Sequence, residues 1–163
     1  MNGAYSTLAA RIRRSVPDVE RVVARATTLS EKARTSGDSD YLDGVALNLH
    51  GFYAGVERVF EDIARSMERS VPTGPEWHRD LLLQMSAEVA SIRPPVISVE
   101  TSRCLDEYRG FRHVVRNVYT FSLQPARLEA LADGLWACYE LVAGDLERFC
   151  SFLDHVSAVD EAS

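Results

Sequence analysis

Lysine is almost missing from this chain: Lys32 stands alone among 18 basic residues, the rest being arginines. Such a bias mostly follows from a GC-rich coding sequence. Arginine is also the better phosphate ligand, because its planar fork binds two oxygens at once, so the placement of the arginines tells more than their number. Cysteine is scarce and odd in count, at Cys104, Cys138 and Cys150, without metal-type spacing; this argues against a disulfide framework or a zinc site. No apolar run approaches the roughly 20 residues of a membrane span. No apolar core of a signal peptide precedes the first arginines, so a cytoplasmic protein is expected. A glycine-rich phosphate loop and a nucleophile elbow are also lacking. The net charge of -6 argues against a general nucleic-acid coat, which carries a basic surface.

What is present is helical period. From Leu42 through Val45, Leu49, Phe52, Val56, Val59, Phe60 and Ile63 to Met67, apolar residues recur in steps of three and four. The same pattern runs from Leu128 through Leu135, Val142 and Phe149 to Val156, with Pro125 suited to that helix's first turn. An N-terminal helix is expected over 6–34, kinked or split at Pro17. Asp38 or Ser39 is expected to cap the second helix. A third helix follows Val71-Pro72-Thr73-Gly74-Pro75, from Glu76 to about Val89. A fourth follows Arg93-Pro94-Pro95, from about Ser102 to Tyr119. Helices joined by short connections, without alternation, predict an all-α fold: one domain over 1–163, an antiparallel bundle of about five helices. Gly44, Gly51 and Gly55 on the second helix suit close helix approach, within the chain or between two copies. The carboxylates Glu57, Glu61 and Asp62 read as a solvated face, and Trp77-His78 as the opening of the third helix.

The fourth helix carries the chemistry. Tyr108 to Arg116 holds a local charge of +3 inside an acidic chain. At 100° per residue, Arg112, Arg116 and Tyr119 point within about 60° of one another, with Arg109 on their flank and His113 and Asn117 in the adjacent column. Stacked like charges destabilise an isolated helix by a few tenths of a kcal/mol per pair. A bound phosphate is the natural compensation. Histidine alone in this group exchanges protons near neutral pH.

This segment resembles the signature helix of HEPN domains, in particular the HepT-like ribonuclease toxins of bacterial toxin–antitoxin pairs. The hallmark is Arg, a polar residue, three more residues, His, one residue and Tyr. Arg112, His113 and Tyr119 match it, and Asn117 stands where the catalytic histidine is expected. The long second helix opening Tyr41-Leu42-Asp43-Gly44-Val45-Ala46-Leu47-Asn48-Leu49-His50 also looks like this family. The resemblance implies a homodimer with a composite RNA-binding cleft, and cleavage by attack of the ribose 2′-OH on the adjacent phosphate, without metal or other cofactor. With that chemistry Arg112, His113 and Asn117 are the expected catalytic group, and the arginine column itself offers Arg109 and Arg116 as phosphate ligands. The resemblance further implies Tyr119 as a site of adenylate modification by a minimal nucleotidyltransferase antitoxin. Because asparagine cannot exchange protons, His113 is the expected substitute. Two other readings stay open: a non-catalytic HEPN-like interaction or nucleotide-binding module, and a structural protein whose arginine column pairs with acids of neighbouring helices.

Overall fold

The computed structural model describes the backbone of residues 2–117 and 124–162, and the side chains of 3–112 and 124–162. Among the described residues there are five α-helices and no strand: α1 (Asn2–Ser36), α2 (Asp40–Ile63), α3 (Trp77–Met85), α4 (Val99–Asn117) and α5 (Pro125–Ala162). The all-α bundle read from periodicity is what forms. Helix α1 packs along both α2 and α5. Its stripe of Leu8, Ile12, Val23 and Ala26 is buried together with Leu49, Phe52, Val56 and Phe60 of α2 and Leu135, Leu146 and Leu153 of α5. Among the described residues no helix is long and apolar enough to cross a membrane.

Helix α1 is continuous through Pro17 rather than split. A mid-helix proline costs about 3 kcal/mol through a lost N–H bond and a ring clash. Burial against two long helices outweighs it, and ion pairs clamp the turns before it: Arg11 with Asp62 at 2.9 Å, and Arg13 with Glu147 at 2.9 Å and Asp154 at 2.8 Å. The glycines of α2 serve this packing within the chain. A Cβ on Gly44 would lie 2.8 Å from Leu29 Cδ1, and one on Gly55 would lie 3.3 Å from Val19 Cγ2. At the start of α2 the expected caps are replaced by a looser arrangement. Ser39 is the N-cap without a side-chain bond, while the Asp40 N–H donates to Asp38 Oδ1 at 2.9 Å.

Helix α2 does not run to Met67 as one α-helix. A π-helical turn, Ala64–Glu68, follows it and ends at Arg69, whose φ is 54°. Glu68 then meets Arg93 at 2.6 Å, and the Arg93 side chain is wholly buried. The same guanidinium donates to the carbonyls of Ala87 at 2.8 Å, Pro94 at 3.0 Å and Gln84 at 3.1 Å. Helix α3 stops at Met85 rather than about Val89: the Gln84 carbonyl accepts from Arg93, and the Met85 carbonyl accepts from the Val96 N–H at 2.9 Å.

Three links register α4 on α5. Ser98 Oγ accepts the Thr101 N–H at 3.1 Å, so α4 begins a turn earlier than its apolar pattern indicates. Buried Asp145 of α5 accepts from the Ser98 N–H at 3.0 Å and the Thr101 hydroxyl at 2.6 Å. Next, Cys104 and Cys138 form a disulfide, their Cα atoms 5.9 Å apart. This corrects the reading of the cysteine count: the two residues stand 34 apart in sequence on facing helices, at a separation a disulfide spans. Finally, the Tyr108 hydroxyl donates to the Leu131 carbonyl at 2.7 Å.

Two measurements check this framework. Asp145→Ala leaves the Thr101 hydroxyl and Ser98 N–H without their acceptor, and should lower unfolding free energy by about 2 kcal/mol in urea titrations. The remaining thiol, Cys150, is buried, and burial pushes it up to about 11. It stays protonated at pH 8, so Ellman's reagent should react slowly with native protein. Denaturation without reductant should expose one thiol per chain rather than three.

Candidate functional site

The polar cluster of the fold forms where α2, α3 and α4 meet. Arg112 lies one turn beyond Tyr108 on α4 and turns toward α2. Its Nη1 donates to Glu57 Oε1 at 2.7 Å and lies 2.7 Å from His78 Nδ1. His78 Nδ1 is in turn 2.6 Å from Glu57 Oε2. One carboxylate therefore holds an arginine through one oxygen and a histidine through the other. The Glu57 residue is only 3% exposed, whereas the side chains of Arg112 and His78 are 17% and 19% exposed. The cluster sits at the rim of the core, with its carboxylate inward and its two nitrogen bases outward.

Each helix supplies its residue for a local reason. Glu57 follows Val56 and precedes Val59 and Phe60, all buried, so it lies on the core-facing side of α2. Its burial corrects the solvated-face reading of these carboxylates. Asp62 is also committed, to Arg11 at 2.9 Å, and Glu61 alone keeps only a loose 3.8 Å contact, to Arg65. His78 sits in the first turn of α3, and the Trp77 ring packs against it with centroids 3.7 Å apart. Behind the cluster, burial and the Glu57 charge both hold the Tyr53 hydroxyl in its protonated form, well above the usual tyrosine range.

Of the residues singled out in the sequence, Arg112 is the one seen in this cluster. Arg109 pairs along its own helix with Asp106 at 2.7 Å. It lines a groove of about 450 Å³ between α3 and α4, together with Arg79, Arg103, Leu83 and Ser102. The backbone of His113, Arg116 and Asn117 lies in α4, but their side chains are outside the described residues, as is Tyr119 altogether. Glu57 and His78 are the site residues that sequence reasoning passed over. A signal existed for Glu57, since it interrupts a run of buried positions on an apolar helix face. None existed for His78. Among the described residues no group of three or more His, Cys, Asp or Glu side chains is placed to hold a metal ion.

A model of the HepT-like protein family matches residues 44–153. The chain belongs to the HepT-like family. The match covers more than half of the chain, from within α2 to within α5, and so includes Glu57, His78 and Arg112. It places the chain in the HEPN superfamily and confirms the family that the α4 segment resembles. Comparison with curated proteins and with solved structures returned no match. Helix α1, which lies before the matched region, is the long partner against which this HepT-like core packs.

The buried pair sets a stability expectation. Glu57→Ala leaves Arg112 and His78 facing a cavity without their acceptor, and should cost about 3 kcal/mol. Glu61→Ala, at a loose 3.8 Å contact to exposed Arg65, should stay within about 0.5 kcal/mol. Parallel urea denaturation of the two variants measures the difference.

Proposed function

We propose that this HepT-like protein is an endoribonuclease toxin that cleaves RNA without metal. The observation that carries the reading is Arg112. It matches the arginine of the HEPN signature that the α4 segment resembles, and it is held by Glu57 at 2.7 Å in a chain of the HepT-like family. Its hydrogen bonds among the described residues all run through Nη1. That leaves Nη2 to face a phosphate, where a fixed cation stabilises charge as it develops in the transition state. Arg109, beside Arg79 and Arg103 in the α3–α4 groove, would hold a flanking phosphate, with Arg116 continuing the column. In this reading two copies join so that their signature helices form one RNA cleft in the cytoplasm. Asn117 positions substrate, and Tyr119 is the hydroxyl that a nucleotidyltransferase antitoxin adenylates.

A second reading has its own support. Arg112 already has an ionic partner inside the chain, and Asn117 cannot exchange protons. Both features suit a non-catalytic HEPN-like module that binds a partner or nucleotide.

The two are separated by incubating purified protein with total RNA in EDTA, beside Arg112→Ala and His113→Ala. The ribonuclease reading expects cleavage by the wild type and a loss of about 100-fold or more in Arg112→Ala. Cleavage products should end in a cyclic phosphate. No cleavage by the wild type favours the binding module, and undiminished cleavage by both variants removes the ribonuclease reading of this site. Light scattering on the same preparation should give the mass of two chains.

A further inference from the structure

We infer that His78 is the proton-transfer group of this site, supplied from α3 in place of the histidine that α4 lacks at position 117. The inference rests on the ribonuclease reading and adds the residue which that reading leaves open. The ground is the geometry of the Glu57–His78–Arg112 cluster. A carboxylate oxygen and a ring nitrogen 2.6 Å apart must share a proton. Glu57 faces the Arg112 cation through its other oxygen, so that proton belongs on the imidazole. With Nδ1 donating to Glu57, the neutral ring keeps its lone pair on Nε2, and Arg112 Nη1, itself a donor 2.7 Å away, touches Nδ1 without bonding to it. The same arrangement, an acid holding a histidine by Nδ1 so that Nε2 does the chemistry, recurs in hydrolytic sites on unrelated folds.

The surroundings of His78 suit that role better than a packing role. Nδ1 is committed inward, and Nε2 makes no hydrogen bond among the described residues. The ring is partly exposed, and Nδ1 is the nitrogen turned to Glu57. Trp77 stacked on the imidazole and Glu57 at its inner edge leave it little freedom to turn. Arg112 approaches the same ring within 2.7 Å, so a phosphate held by its outer donors lies beside His78. A proton acceptor and a phosphate ligand side by side are the two groups that attack by a ribose hydroxyl requires.

The step balances with these groups. The 2′-oxygen bonds to phosphorus as the bond from phosphorus to the 5′-oxygen breaks, and Nε2 takes the 2′-hydroxyl proton. The departing 5′-oxygen takes a proton from water, and the hydroxide left behind collects the proton from His78. The products are a 2′,3′-cyclic phosphate and a 5′-hydroxyl, and the protein returns to its starting state.

The test uses the full-length protein and a defined RNA oligonucleotide in EDTA. His78→Ala and His78→Gln are compared with the wild type and with His113→Ala, and circular dichroism melting follows the fold of each. Both His78 variants should lose about 100-fold or more in cleavage rate. Added imidazole should restore His78→Ala in a concentration-dependent way. It should not restore His78→Gln, whose side chain fills the space. Rescue of this kind reports proton transfer, because a purely structural histidine is not replaced by a free base that leaves the melting temperature unchanged. Wild-type cleavage with His78→Gln undiminished overturns the inference while the ribonuclease reading stands. Loss in His113→Ala alone does the same and returns the role to α4. A wild type without cleavage overturns both.

Discussion

Burying a carboxylate in an apolar interior costs several kcal/mol unless charge and hydrogen bonds compensate it, and Glu57 is buried in the C-terminal part of α2 between Val56 and Val59. Arg112 and His78 supply that compensation, one from α4 and one from α3. The cluster thereby couples three helices through one polar group. The seat of α3 and the direction of the Arg112 guanidinium both lean on this one carboxylate. A HepT-like chain with an apolar residue at 57 would lose the compact triad even if every helix still formed.

The rest of the framework supports that placement. Asp145 holds the start of α4, the Cys104–Cys138 bond holds its next turn, and Tyr108 holds the turn after that. Arg112 comes one turn later and pairs with α2, on whose Phe52 the Tyr108 ring already packs edge to face. Helix α4 is thus linked to α5 along its first half while it also packs on α2. The Arg93–Glu68 pair does comparable work at the other side of α3. It anchors a proline-rich connection that periodicity describes only as a break. Buried ionic groups in this protein consistently join segments distant in sequence, which is the use of such pairs that specificity arguments favour over stability.

The site itself was half legible. The arginine column on α4 stood out because like charges at helical spacing are unfavourable without a partner, and Arg112 does have one. Yet the partner was an acid on α2 that had passed for a solvated one. The histidine beside it came from α3 rather than from α4. Glu57 and Arg112 are 55 residues apart, and His78 is 21 and 34 residues from them. No local pattern connects positions at such distances.

By itself the sequence determined the helices, their breaks and their apolar faces, because hydrophobic period and proline placement are local properties of the chain. It also carried enough of the α4 pattern to resemble the family that the matched region then showed. Only the tertiary structure decided that α1 continues through Pro17, that Cys104 reaches Cys138, and that Glu57 gathers His78 and Arg112. Each of these turns on which helix lies against which. A period tells which side of a helix is apolar, not which polar residue of a neighbour will meet it there. Whether a charged residue on that side is solvated or buried depends on the neighbour that arrives, and for Glu57 the neighbours bring the two groups that a carboxylate can hold.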